Sequence, residues 1–281
     1  MTILYSDDLA EKLDESIKGR VEKLSKEGNT PCLAIVRVGE NPNDISYEKG
    51  LLKKSDIYGI EVKQVLLDAE ITTEELSAEI EKLNSDDHVT GVILFRPLPK
   101  HIDDKEVEES LDYRKDVDAM TSKSLAKVFQ GETDGFQPAT PYACMKLLEA
   151  YDIDLKGKNV AIIGRSMVLG KPLAMMMLNE NATVTICHSR TKDLPEVTKA
   201  ADIVVSATGR AKSVTRDYVN PDSIVVDVGV SADADGKLSG DADFEDLKDY
   251  VAGITPRTHG IGKITSTLLM DQVVQAKEKS L

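Results

Sequence analysis

The chain has 281 residues, enough for two domains with buried cores, and carries 35 Lys plus Arg against 49 Asp plus Glu, a formal net charge of −14. That charge repels polyphosphate backbones, which argues against nucleic acid and anionic membrane as partners. No apolar run approaches the roughly 18–20 residues of a membrane span.

The acidic start, Ser6-Asp7-Asp8, lacks the shape of a signal peptide, so a reducing cytoplasmic setting is expected. Cys32, Cys144 and Cys187 then read as small core residues. The four histidines (His88, His101, His188, His259) show no metal-ligand spacing, and no metal is expected.

Apolar positions Leu9, Leu13, Ile17, Val21 and Leu24 predict a helix from Ser6 to Lys26. A strand follows over Cys32 to Val38, then a helix from about Asp44 to Tyr58 that stops at Gly59. Glu61 to Leu67 reads as a strand, Thr72-Thr73-Glu74-Glu75 opens a helix, and Gly91 to Phe95 is a third strand running into Arg96-Pro97-Leu98-Pro99. This alternation predicts a first α/β unit with a parallel sheet. Arg114 to Pro141 reads as loop, and a helix from Tyr142 to Tyr151 opens a second unit. Strands are predicted over Val160 to Ile163, Ala182 to Cys187, Asp202 to Ala207 and Ser223 to Val228, with a last helix over Thr267 to Lys279. The near-continuous apolar character of the last two strands, Asp202 to Ala207 and Ser223 to Val228, suits parallel strands buried on both faces. A cleft between two such units is a usual place for a cofactor to meet a substrate.

The second unit carries the chemistry. Val160 to Ile163 stops at Gly164, and Gly170 follows, just ahead of a helical segment from Leu173 to Leu178. A strand, a tight glycine turn and a helix N-terminus let backbone N–H groups approach a phosphate. The next strand ends in His188-Ser189-Arg190-Thr191, where an NAD site usually carries an acid for the ribose 2′-hydroxyl. A hydroxyl and a guanidinium, with Arg165 in the first turn, suit a 2′-phosphate instead, so the cofactor is read as NADP.

In this order the segments resemble the methylenetetrahydrofolate dehydrogenase / methenyltetrahydrofolate cyclohydrolase family over nearly the whole chain. The matching motifs are Gly164-Arg165-Ser166-x-x-x-Gly170-x-Pro172, Asn181 to Thr185 with Cys187 to Thr191, Lys115-Asp116-Val117-Asp118, Pro138 to Pro141, Asp227-Val228-Gly229 and Gly240-Asp241-x-Asp243-Phe244. The resemblance implies a folate-binding catalytic α/β domain (1–139 plus 261–281) and a Rossmann NADP-binding domain with a parallel sheet (140–260), in a cytoplasmic homodimer. It implies that Gly164, Arg165, Ser166, Gly170, Pro172, His188, Ser189, Arg190, Thr208 and Gly209 hold NADP. It also implies that Tyr47 and Asp118 act on a tetrahydrofolate derivative, which Gly260 and Gly262 also line.

The sequence departs from the family in the folate-facing half. Four residues after its Tyr the family has a catalytic Lys, where this chain has Leu51, and a family Gln is replaced by Phe95. The family's Pro-Gly-Gly-Val-Gly-Pro-Met-Thr reads Thr258 to Thr265, which brings in His259 and Lys263. Moving a hydride from a carbon flanked by two nitrogens requires chiefly placement of the nicotinamide. Hydrolysis of the methenyl cation requires proton transfer, for which a lysine of lowered pKa is suited and a leucine is not. Dehydrogenase activity is therefore expected with little cyclohydrolase activity. Lys54, Arg96, His259 and Lys263 are candidate substitute cations, and a reshaped substrate pocket or a catalytically silent nucleotide- or folate-binding paralogue are the alternatives.

Overall fold

The computed structural model describes residues 1–233 and 235–281. In chain order, β1 (Thr2–Ile3) and α1 (Asp7–Lys26) lead to β2 (Cys32–Val38), α2 (Pro42–Tyr58), β3 (Glu61–Leu67), α3 (Thr73–Asn84) and β4 (Gly91–Leu94). Then come α4 (Asp104–Ser110), α5 (Ser122–Gln130), α6 (Ala139–Ala150), β5 (Asn159–Ile163), α7 (Gly170–Asn179), β6 (Thr183–Cys187) and α8 (Leu194–Lys199). The chain finishes with β7 (Ile203–Ser206), β8 (Ile224–Asp227), β9 (Ser231–Ala232), β10 (Leu238–Ser239), α9 (Phe244–Leu247), β11 (Gly253–Ile254) and α10 (Ile261–Lys279). It divides into two compact units, residues 11–139 with 266–281 and residues 1–10 with 140–265.

The first unit is built on a parallel sheet in the order β3-β2-β4. The run Cys32 to Val38, apolar but for Arg37, which pairs with buried Glu48 at 2.8 Å, is buried at every position, as its central place requires. On one face Leu33 and Ile35 pack with Ile17 and Val21 of α1, Leu51 of α2 and Leu269, Met270, Val273 and Val274 of α10. On the other, Ala34 and Val36 pack with Leu76 and Ile80 of α3 and Val107 of α4. Each such aliphatic side chain contributes roughly 1.5–3 kcal/mol by leaving water. Helix ends follow the sequence signals. Pro42 opens α2, Gly59 closes it at φ 75°, and Thr72 and Glu75 form a reciprocal capping box at α3. The stretch read as loop from Arg114 to Pro141 instead contains α5, capped by Thr121 and closed by Gly131 at φ 74°, and the first turn of α6.

The second unit is a six-stranded sheet, β1-β11-β8-β7-β5-β6, whose strand pairs are parallel. Residues 1–10, read from the sequence with the first domain, belong to this unit, because Thr2 and Ile3 pair with Gly253 and Ile254. From β5 the chain adds β6 on one side and then returns to add β7 on the other. The carboxyl end of β5 is thus a topological switch point, where open α/β sheets bind ligands.

Candidate active site

In the second unit the loops after β5, β6 and β7 leave one sheet edge in register. Ile163 pairs with Cys187 and Ser206, Gly164 N–H donates to Cys187 C=O at 2.9 Å, and Ala207 N–H donates to Ile163 C=O at 3.0 Å. The spacing of the two glycines has a steric reason. A Cβ on Gly170 would lie 2.1 Å from Gly164 O, and one on Gly164, at φ 149°, would lie 2.8 Å from Ala207 O. Only glycine lets the start of α7 come this close to the turn. Helix α7 has no side-chain cap: Lys171 N–H donates to Ser166 C=O at 3.0 Å and Leu173 N–H to Leu169 C=O at 2.9 Å, while Ser166 Oγ accepts from Leu169 N–H. Pro172 is buried in the first turn of α7, where its missing N–H costs nothing.

After β6, His188 serves its own turn: its Nδ1 accepts from Arg190 N–H at 3.2 Å, and its N–H donates to Thr191 Oγ1 at 2.9 Å. Ser189 and Arg190 are exposed, and residues 188–192 include no carboxylate. The Thr208-Gly209 loop is held by a group to which sequence reading gave no role. Asp241, fully buried, accepts from Gly209 N–H at 3.2 Å, Arg210 N–H at 2.9 Å, Ser206 Oγ at 3.2 Å, and also Thr208 N–H. Asp227 in turn accepts from Asp241 N–H at 3.1 Å and Ala242 N–H at 2.9 Å, and burial pushes its carboxyl up to about 6. Gly229 and Gly240 are glycines because a Cβ on either would lie 2.1 and 1.9 Å from Asp241 Cγ and Asp227 Oδ2 respectively.

In the first unit, Tyr47 stands on α2 at 40% exposure with its ring centroid 5.4 Å from that of Phe95. It lines an open cavity of about 400 Å³ with Asn43, Ser46, Gly50, Lys54 and Ser266. Desolvation, and then the Asp118 charge, raise its phenol above the ordinary range. Within Lys115-Asp116-Val117-Asp118 three residues are structural. Lys115 donates to Leu83 and Asp86 C=O, Asp116 accepts from Met120 and Thr121 N–H, and Val117 C=O accepts from Gln272. Asp118 keeps one oxygen on Ala139 N–H at 3.0 Å. Burial pushes its carboxyl up to about 6; Ala139 N–H opposes this, the Asp116 charge adds to it, and Arg96 opposes it.

The substitute cations are all engaged. Arg96 pairs with Glu108, and Lys54, which shares the cavity wall with Tyr47, donates to Thr267 Oγ1. In the second unit His259 and Lys263 both pair with Asp7, whose carboxyl is held below the usual range by Lys263 and then His259. Ser6 Oγ donates to His259 and Gly260 C=O, fixing the loop before α10, and Gly262 lies in that helix's first turn. Leu51 is fully buried and Phe95 6% exposed, both in one apolar cluster. A larger cavity of about 620 Å³ at the other end of this sheet includes Lys115 and Lys279, but both donate to backbone carbonyls.

A parallel sheet with a glycine turn and an uncapped helix at its switch point, in a chain with a second α/β unit, defines a two-domain dinucleotide-binding protein. Residues 138–281 match the family model "Tetrahydrofolate dehydrogenase/cyclohydrolase, NAD(P)-binding domain", and residues 4–118 match that of the catalytic domain. The chain belongs to the tetrahydrofolate dehydrogenase/cyclohydrolase family. It is 47% identical over 278 residues, 99% of each chain, to the bifunctional protein FolD of Clostridium botulinum. The crystal structure of the bifunctional FolD enzyme from Campylobacter jejuni superposes with a TM-score of 0.97 at 39% identity, covering all of both chains. That of the Trypanosoma brucei enzyme, complexed with NADP cofactor and inhibitor, gives 0.93 at 28% identity, covering 100% of this chain and 98% of that one.

Proposed function

We propose that this protein oxidises 5,10-methylenetetrahydrofolate to 5,10-methenyltetrahydrofolate in one-carbon folate metabolism, with NADP as hydride acceptor, as a cytoplasmic homodimer. The observation that carries the reading is the edge formed by the ends of β5 and β6. It combines a turn that only glycine fits, the N-terminus of α7 with no side-chain cap, and Ser189 with Arg190 where an NAD site has an acid. These residues fit the cofactor: the Gly164 to Gly170 turn suits the pyrophosphate, and Arg165, Ser189 and Arg190 suit the 2′-phosphate. When bound, NADP supplies the hydride acceptor, and this chain's residues bind and orient the substrate. Tyr47, backed by Phe95, offers an aromatic face for the pterin ring. Asp118, ionised above about pH 6, accepts from ring N–H groups. Asp241 holds the Thr208-Gly209 loop against the cofactor.

No proton need leave an O–H group in this oxidation, so an apolar residue at position 51 is compatible with it. Hydrolysis of the methenyl product has no such freedom. With Leu51 and Phe95 in the core, the two positions where the family carries reactive groups hold none, and we infer that cyclohydrolase activity is slow. Reduced-nicotinamide absorbance with methylenetetrahydrofolate and each cofactor tests the reading. Turnover with NADP supports it; cofactor binding without turnover overturns it.

A further inference from the structure

Cys32, Glu61 and His88 come together at the end of the first unit's sheet remote from Tyr47 and Asp118. Cys32 opens β2 and Glu61 opens β3, and the two are register partners, so their side chains share a face. His88 lies in the turn that leads into β4, and its Nε2 is 2.6 Å from Glu61 Oε2. The sulfur, a carboxylate oxygen and an imidazole nitrogen all lie within 4.8 Å of one another.

The backbone fixes this arrangement. Cys32 N–H donates to Thr90 Oγ1 at 3.0 Å and Thr90 N–H returns to Cys32 C=O at 2.8 Å, while Asp86 accepts from His88 N–H at 3.0 Å. Cys32 is 1% exposed, whereas the side chains of Glu61 and His88 are 51% and 59% exposed and so can swing. Tetrahedral zinc needs ligand distances of roughly 2.0–2.3 Å, which is reached when the exposed Glu61 and His88 side chains part by under about 1 Å and turn toward the sulfur.

We propose that Cys32 Sγ, the Glu61 carboxylate and the His88 imidazole form a site for a borderline-soft divalent cation, zinc by preference, with water as fourth ligand. Two anionic ligands and one neutral imidazole balance a dication, which suits a half-buried place. A thiolate with an imidazole selects zinc or cobalt over magnesium or calcium. On binding, the thiol proton leaves to solvent and a metal–sulfur bond forms, with no change of oxidation state. None of its three residues lines the Tyr47 cavity, so its role is to brace the sheet. Spacing along the sequence could not reveal it, because each ligand comes from a different segment.

The test is titration of the metal-free full chain with cobalt(II), followed through the sulfur-to-cobalt charge-transfer band, and competition by zinc. The wild type should show the band at one equivalent and lose it to zinc. Cys32→Ser should lack the band, and His88→Ala, an exposed change that leaves the fold intact, should weaken binding by about tenfold or more. Absence of the band in the wild type, its persistence in Cys32→Ser, or unchanged affinity in His88→Ala would overturn the proposal.

Discussion

Replacing Leu51 with lysine introduces the residue that the family resemblance implies at this position. Leu51 is fully buried, so the variant gives up part of an apolar contact worth about 2 kcal/mol. The amine adds a desolvation cost. At pH 7 that cost has a ceiling, since a lysine of ordinary pKa near 10.4 loses its proton once burial costs about 5 kcal/mol. Tyr47, one turn earlier on α2, is 40% exposed, which gives the stem a route to the cavity and lowers the penalty. A loss of about 3–4 kcal/mol, or roughly 10 °C in melting temperature, is expected for a chain of this size. The lysine that survives has a lowered pKa and can move protons. Hydrolysis of methenyltetrahydrofolate, followed as loss of its absorbance against a buffer blank, should rise about 100-fold, the low end for general acid–base catalysis. NADP-dependent oxidation should stay within about threefold, well under 1 kcal/mol. A folded Leu51→Lys protein that hydrolyses no faster than the wild type would rule out Leu51 as the cause of slow hydrolysis, as would a wild type already far above the blank.

Arg190→Ala should raise KM for NADP by about 10–100-fold, as for loss of a charge-assisted phosphate contact, and leave KM for NAD nearly unchanged. Because Arg190 is exposed, its melting temperature should not move. The pH profile of kcat/KM should fall below about pH 6, where Asp118 takes up a proton and ceases to accept from the pterin ring; Asp118→Asn should be slow at every pH and show no such limb. Asp241→Ala leaves three backbone N–H donors without their acceptor, each costing about 1–3 kcal/mol. Chemical denaturation should show a loss of about 3 kcal/mol or more, with a raised KM for NADP but not for folate.

Where local pattern decides structure, the sequence was sufficient. β2, apolar but for Arg37, and β3 have the limits read from the sequence, and the Thr72 capping box opens α3. β1 and β11 were not foreseen because two-residue strands have no period of their own and exist only through each other. Helix α5 was hidden by its composition: Ser122-Lys123-Ser124 precedes only a few apolar residues, and the Thr121 and Gly131 caps define it. The candidate site divides the same way. Glycine spacing and the missing acid at 188–192 are local facts, so the edge proposed for the cofactor could be read from the sequence. The pairing of Asp7 with both His259 and Lys263, and the Asp241 clamp, join residues far apart in the chain. For Asp241 a signal existed, the aspartate directly after Gly240, but its use depends on where β7 ends.

The most direct test follows both products in one reaction of the wild-type protein with NADP and 5,10-methylenetetrahydrofolate. NADPH and methenyltetrahydrofolate should rise together in equal amounts, with the methenyl form decaying only at its spontaneous rate. NADPH rising while the methenyl form fails to accumulate would contradict this.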